Sequence, residues 1–147
     1  MLIIMPHLGD GGAERLALDL LIELRRQGLP VEMLAMQRRG PRVDEAAERG
    51  VRICYGCGAH QSLVLHGPRV LLKAIRAARR NDVVVAGLDG PAMGLALLAA
   101  RLTRRPCVAM VQNDMAGVRL TDRRPRAVRW LMRRAKLTAR ADLAIAV

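Results

Sequence analysis

The first 27 residues join an apolar segment, a glycine-rich turn and an amphipathic helix, and this combination constrains the fold most. The apolar segment spans residues 2–6, and the turn at residues 7–15 has the sequence His-Leu-Gly-Asp-Gly-Gly-Ala-Glu-Arg. Alanine and leucine then recur every three or four residues, which is typical of a helix that packs against a sheet. Gly9, Gly11 and Gly12 can adopt backbone conformations closed to other residues, and they let a ligand approach the main chain. Because the N-terminus of a helix offers unpaired N–H groups to a phosphate, a carboxylate or a polarised hydroxyl, we predict a ligand site at this turn.

The turn matches neither of two common nucleotide-binding motifs. A G-x-G-x-x-G motif would need a glycine at position 14, which is Glu14, and a P-loop would need a Gly-Lys-Ser/Thr ending. A purely structural interpretation also fits the turn, in which Gly11 caps the helix and Glu14 complements the helix dipole. The sequence leaves both interpretations open.

The rest of the chain alternates between predicted strands and helices. Strands are predicted at residues 31–37, 51–55, 82–86, 106–112 and 143–147, and helices at 43–49, 68–80, 92–102 and 125–140, with loops at 56–67 and 113–124. Crossovers of this length favour parallel pairing, so we predict one α/β domain over residues 1–147 with a Rossmann-like, doubly wound, mostly parallel sheet. Ligands of such sheets bind beyond the carboxyl ends of the strands, which places residues 9–12, 87–89 and 112–114 at the predicted site.

The charge balance favours an anionic partner. The chain has 25 Lys and Arg residues against 13 Asp and Glu residues, for a net charge of +12. Nucleic acid, an anionic membrane or a phosphorylated ligand would suit this charge, but Tyr55 and Trp130 are the only aromatic residues, which argues against a single-stranded nucleic-acid binder. The predicted helix at residues 125–140 either rests on anionic lipid or covers the sheet with a solvated basic face. Its basic residues recur every three or four positions, and they are Arg126, Arg129, Arg133, Lys136 and Arg140.

The cysteines and the hydropathy pattern indicate a cytoplasmic protein. Three cysteines are an odd number, which favours a reducing compartment. The apolar start is too short for a signal peptide, and the most apolar later segment is interrupted at residues 89–91. Cys54 and Cys57 form a C-x-x-C pattern with His60 and His66 downstream, which leaves a metal or redox site as an alternative to incidental thiols. We expect no bound metal.

The Gly-Gly-Ala-Glu-Arg motif at residues 11–15 resembles glycosyltransferase family 4. It follows the first strand and precedes a helix and the sequence Gly-Leu-Pro-Val-Glu at residues 28–32, as in the amino-terminal, acceptor-side domain of these two-domain GT-B enzymes. Segments 86–88, 99–102, 107–112 and 141–147 fit the same pattern. The resemblance covers essentially the whole chain.

This resemblance implies transfer of a sugar, with retention of configuration, from a UDP- or GDP-linked donor to a hydroxyl of a glycan or lipid-linked glycan. It implies neither a bound metal nor a cofactor besides the nucleotide-sugar, and it allows a peripheral position at the inner face of the membrane. No catalytic residue is assigned, because Gln112 stands where the family often has a histidine, and an amide neither carries charge nor acts as an acid. The substrate-binding residues expected from position and resemblance together are Gly9, Asp10, Gly11, Gly12, Glu14, Arg15, Gly87, Asp89, Gln112 and Asn113.

The family's carboxy-terminal, donor-binding domain and its paired glutamates are absent from these 147 residues. We therefore expect the chain to be inactive alone. The apolar strand predicted at its end indicates a fragment. The alternative function is a non-catalytic α/β module that binds a phosphorylated or anionic ligand through residues 9–12 and its arginine-rich surface.

Overall fold

The computed structural model of the chain describes residues 1–88, 90–111 and 143–146. Six β-strands and four α-helices alternate in this part of the chain. The strands are β1 Leu2–Met5, β2 Glu32–Gln37, β3 Cys54–Cys57, β4 Val84–Ala86, β5 Cys107–Val111 and β6 Leu143–Ala146. The helices are α1 Gly12–Arg26, α2 Arg42–Glu48, α3 Leu63–Arg79 and α4 Pro91–Thr103.

The strands form one parallel sheet in the order β3-β2-β1-β4-β5-β6. The chain builds outward from β1 to β3 on one side and then returns to place β4 on the other side of β1. The strand order therefore reverses between β1 and β4, which is the position where open parallel sheets form a crevice for ligands. The Rossmann-like, doubly wound α/β fold predicted from the sequence is confirmed.

Helices cover both faces of the sheet, so β1 is buried along its whole length. Successive side chains of a strand point to opposite faces. Leu2 and Ile4 accordingly pack in the core beneath α3 and α4, whereas Ile3 and Met5 pack in the core beneath α1 and α2. Both cores are aliphatic, as expected for a chain that lacks phenylalanine.

The structure corrects two predicted boundaries around β3. The strand lies at Cys54–Cys57 rather than at residues 51–55, and α3 begins at Leu63 rather than at Pro68. Leu63 packs against the core, and this contact stabilises a helical turn ahead of the proline. By contrast, β2, α4 and β5 begin and end within one residue of their predicted bounds. The predicted helix at residues 125–140 lies outside the described residues.

Close packing around β3 explains why Gly56 lies inside this strand. A β-carbon at this position would lie 2.5 Å from the Met36 carbonyl oxygen and 2.9 Å from both γ-carbons of Val70. The missing side chain therefore lets α3 pack directly on the strand.

We predict that Gly56→Ala lowers the free energy of unfolding by about 1–3 kcal/mol, because the added methyl group overpacks the contact between β3 and α3. Urea unfolding followed by far-UV circular dichroism would measure this change. Gly58→Ala is the matched control, since its β-carbon would meet Gln61 at an ordinary 3.5 Å. Equal stabilities for the two variants would contradict the packing role of Gly56.

Candidate functional site

The glycine-rich turn lies at the point where the strand order reverses. Residues 6–11 connect the end of β1 to the start of α1, and Gly11 precedes the helix with an extended backbone and no side-chain cap. Gly11 and Gly12 are exposed to solvent. The first N–H groups of α1 therefore point toward open space at the carboxyl edge of the sheet, where they are available to an anionic or polarised ligand group.

The Glu14 carboxylate folds back beneath this turn. Glu14 is only 6% exposed, and its Oε1 lies 3.5 Å from Nδ1 of His7. A β-carbon on Gly9 would lie 3.1 Å from the His7 ring and 3.3 Å from Glu14, and one on Gly11 would overlap the Glu14 carboxylate. Gly9 and Gly11 thus leave the space that the His7 and Glu14 side chains occupy.

Gly12 differs from these two glycines. An added β-carbon at Gly12 meets no atom of the described residues within 4 Å, and the φ angle of Gly12 is not in the left-handed region. Neither packing within the described residues nor backbone strain requires a glycine at this position. An open surface next to the helix N-terminus is therefore available for close approach by a ligand.

The loop between β2 and α2 fixes the position of the turn. The Leu8 N–H donates to the Arg39 carbonyl at 2.9 Å, and the Leu8 carbonyl accepts from the Arg42 N–H at 3.3 Å. Gly40 lies between these two contacts with a φ of +107°, and a side chain on it would overlap the Leu8 carbonyl. Gly40 is not among the residues that the sequence predicts for the site. The Gly-Pro dipeptide at residues 40–41 predicts a turn, but it does not indicate that this turn contacts Leu8.

Gly87 follows β4 at the same edge of the sheet. Its N–H donates to the Ile4 carbonyl at 3.0 Å, and a β-carbon would overlap the Met5 sulfur. Close packing between β4 and β1 thus explains this glycine. Contact with a ligand at Gly87 remains a prediction.

The remaining predicted residues are distributed differently. Asp10 is exposed in the turn, and the largely exposed Arg15 lies 3.7 Å from Asp19 on the outer surface of α1. Asp89, Gln112 and Asn113 lie outside the described residues, as do the basic residues between positions 125 and 140. The described part of the site therefore consists of the turn, the first turn of α1 and the start of the segment after β4.

The C-x-x-C pattern forms no metal cluster in the part of the chain that is described, where no group of three His, Cys, Asp or Glu residues could hold an ion. Cys54 is exposed, whereas Cys57 is buried and its thiol donates to the Met36 carbonyl at 3.2 Å. Both cysteines belong to a strand, and residues three apart on a strand point to opposite faces. The two thiols of the pattern therefore lie on opposite faces of β3.

Tyr55, a residue of β3, has a shifted pKa. Partial burial raises the pKa of the Tyr55 hydroxyl above its usual value, and the positive charge of Arg38 partly opposes this shift. The Arg38 guanidinium lies 5.7 Å from the centre of the Tyr55 ring, within cation–π distance. This contact holds Arg38 over β3 rather than over the glycine turn.

A model of the family described as Glycosyltransferase Family 4 matches residues 10–147. The chain belongs to glycosyltransferase family 4. A curated relative from Alkalilimnicola ehrlichii is named UDP-N-acetylglucosamine–N-acetylmuramyl-(pentapeptide) pyrophosphoryl-undecaprenol N-acetylglucosamine transferase. This family-4 chain is 37% identical to it over 136 residues, which cover 82% of the chain and 37% of the relative.

Solved structures show the same fold for this glycosyltransferase family 4 chain. MurG of Acinetobacter baumannii aligns with a TM-score of 0.63 at 21% identity, over 99% of this chain and 41% of MurG. Anabaena HepE, solved in complex with UDP and glucose, aligns with a TM-score of 0.62 at 15% identity, over 99% of this chain and 43% of HepE. The chain thus has the fold of part of a GT-B glycosyltransferase, and it spans about two fifths of the length of these relatives.

Among the described residues, none of the helices combines the length and the apolar character needed to cross a bilayer.

We predict that Gly40→Ala lowers the free energy of unfolding by at least about 2 kcal/mol, because its φ is unfavourable for alanine and the methyl group would displace Leu8. Gly28→Ala is the control, since Gly28 also has a positive φ but an added β-carbon there meets no described atom within 4 Å. Its expected cost is about 1 kcal/mol. Denaturant unfolding would compare them, and a Gly40→Ala cost no larger than that of Gly28→Ala would show that the contact does not hold the turn.

Proposed function

We propose that the complete protein transfers a sugar from a nucleotide-sugar to a hydroxyl of a glycan or lipid-linked glycan. Residues 1–147 would form its acceptor-side domain. The observation that carries this proposal is the exposed backbone of Gly11 and Gly12 at the N-terminus of α1, beside the point where the strand order reverses. Membership of glycosyltransferase family 4 supports it. We favour a UDP-linked donor over a GDP-linked one, because HepE binds UDP and the A. ehrlichii relative is named for a UDP-sugar.

The proposed chemistry requires stabilisation of negative charge on the departing nucleotide diphosphate. Free N–H groups and the partial positive charge at the start of α1 favour such an anion without a metal ion. Asp10, Glu14 and Arg15 would shape the surface around Gly11 and Gly12. Asp89, Gln112 and Asn113 would complete the substrate contacts from the segments after β4 and β5.

We further propose that a second domain, outside residues 1–147, holds the donor ribose and phosphates. The limited share of each relative that this chain covers supports that division. Residues 1–147 alone would then be inactive, and the complete enzyme would act with retention, without a bound metal or cofactor. Product configuration measured by proton NMR, and activity measured in excess EDTA, test the last two points.

The glycine turn provides the decisive test. We predict that Gly12→Val in the complete protein lowers kcat/KM for sugar transfer at least about tenfold, because the isopropyl group would occupy the surface on which substrate rests. The free energy of unfolding should change by less than about 1 kcal/mol, since the space around this position is open. Transfer from UDP- and GDP-sugars would be assayed by nucleotide release.

Gly58→Ala serves as the control for this assay. Gly58 follows β3, the outermost strand on one side of the sheet, and its β-carbon would make only an ordinary contact with Gln61. A Gly12→Val protein with the parent's kcat/KM would separate the glycine turn from the substrate site. A complete protein that turned over no UDP- or GDP-sugar would overturn the transferase proposal and favour the anion-binding module.

We also propose that the face formed by α3 and α4 rests on an anionic lipid surface. Both helices lack Asp and Glu entirely, whereas α3 carries four basic residues and α4 carries one. Among the described residues, Arg69, Arg76 and Arg101 have no acidic partner within 4 Å. A basic surface of this kind attracts anionic headgroups.

Two apolar side chains add a second component to this face. Val64 and Leu65 are 87% and 81% exposed at the start of α3, on the same edge of the sheet as the glycine turn. Exposed apolar side chains next to basic ones are typical of helices that lie at a membrane interface. An acceptor attached to a lipid would then reach the turn from this surface. The basic helix predicted at residues 125–140 is a second proposed contact with the membrane.

We predict that a Val64→Asp/Leu65→Asp double variant binds vesicles of phosphatidylglycerol and phosphatidylcholine at least about tenfold more weakly than the parent, because it loses apolar burial and adds negative charge. Co-sedimentation with the vesicles would measure binding. Leu29→Asp is the control, since Leu29 is also exposed but lies in the turn after α1. A double variant that sediments like the Leu29→Asp protein would contradict a membrane role for the start of α3.

A further inference from the structure

The outer edge of β3 is a part of the fold that the proposed sugar transfer does not use. β3 is the last strand on its side of the sheet, with β2 on its inner side and no other described strand beyond it. The outward-facing N–H and C=O groups of such a strand can pair with a strand of another molecule. The edge formed by Cys54–Cys57 is therefore a surface to which a further strand could be added.

Lys73 of α3 covers this edge. Its ammonium group donates to the Tyr55 carbonyl at 2.6 Å and to the Gly56 carbonyl at 3.3 Å. Consecutive carbonyls of an extended strand point to opposite sides, so one of these two faces away from β2. An acceptor that an added strand would need is therefore already bonded to a positive charge.

Close packing of α3 on β3 brings the ammonium group to this position. Val70 is buried against Gly56, where a β-carbon would come within 2.9 Å of both its γ-carbons. Lys73 follows Val70 by three residues, so the two side chains are neighbours on the surface of the helix. The missing side chain of Gly56 thus lets the lysine reach the backbone of the strand.

A lysine suits this contact better than an arginine. Of the 25 basic residues, only those at positions 73 and 136 are lysines. An ammonium group is compact and carries three donors, so it can bond two neighbouring carbonyls, whereas a guanidinium presents its donors in a planar fork. Lys73 is partly buried, while Arg69 and Arg76 on the same helix are exposed. Among the described contacts of α3, Lys73 is thus the basic side chain bonded to β3.

We propose that Lys73 closes the outer edge of β3 against a second copy of this chain. Two identical edges can pair antiparallel about a twofold axis, because each then presents the same donors and acceptors to the other. Such pairing would bring both Lys73 ammonium groups into one interface and remove water from them. Among the described residues, Lys73 has no acidic partner within 4 Å, and a buried charge without such a partner is strongly unfavourable. The role of Lys73 is independent of the proposed sugar transfer.

Lys73→Met in the complete protein tests this role, because methionine keeps an unbranched side chain and removes the charge. We expect its self-association constant, measured by sedimentation equilibrium, to exceed the parent's at least about tenfold, since pairing no longer buries two charges. Arg76→Met is the matched control. It removes one charge from the exposed surface of the same helix and should associate like the parent.

Cys54 reports where the two copies meet. Its thiol is exposed on β3, whereas those of Cys57 and Cys107 are buried. All residues of so short a strand lie close to the twofold axis, so bismaleimidohexane should link two Lys73→Met copies into a covalent dimer. Cys54→Ser on the Lys73→Met background should abolish this dimer.

Three results would overturn the role of Lys73. The first is self-association of Lys73→Met no stronger than that of the parent. The second is equally strong association of Arg76→Met, which would trace the effect to net charge. The third is a Lys73→Met dimer that bismaleimidohexane does not link through Cys54.

Lys73→Gln decides the question if Lys73→Met fails to fold. Its amide N–H groups still donate to a carbonyl of β3, but the side chain carries no charge. A Lys73→Gln protein with the parent's far-UV circular dichroism should associate at least about tenfold more strongly than the parent. Association equal to the parent's would contradict the closing of the edge by Lys73.

Discussion

The pairing of β1 with β2 on one side and β4 on the other is the interaction on which the rest of the structure depends. It places the buried Leu2–Met5 segment at the centre of the sheet and creates the reversal of strand order at its carboxyl end. Both hydrophobic cores include residues of this strand, one on each face. The crevice and the two helix layers are therefore consequences of one four-residue strand.

The glycine turn is held by contacts with distant parts of the chain as much as by its own sequence. Gly40 lets the β2–α2 loop reach the backbone of Leu8, and Gly9 and Gly11 make room for His7 and Glu14. Three glycines therefore serve packing inside the protein. Gly12 lacks such a constraint from the described residues. The proposed contact with substrate at the start of α1 therefore depends most on Gly12.

Much of the fold was predictable from local pattern, and the parts that were not depend on tertiary contacts. Continuous apolar runs and three-to-four periodicity indicated β2, α4 and β5 to within one residue of their bounds. Gly56 and Pro68 are residues that usually interrupt regular structure, but packing against Val70 and the contacts of Leu63 outweigh that tendency. At the site, the turn and Glu14 were recognisable by motif. The pairing of Glu14 with His7 was not, because no periodicity connects a strand end with a side chain folded back from a helix.

Among the described helices, charge is distributed unevenly between the two layers that cover the sheet, which the net charge of the chain does not reveal. The charged residues of α1 and α2 sum to −2, and those of α3 and α4 sum to +5. With the sheet between them, the layers lie about 20 Å apart, farther than the Debye length of about 8 Å at physiological ionic strength. A nearby anionic surface therefore attracts α3 and α4, while it acts only weakly on α1 and α2. The orientation in which these four helices meet such a surface, as well as the strength of the attraction, then depends on the salt concentration.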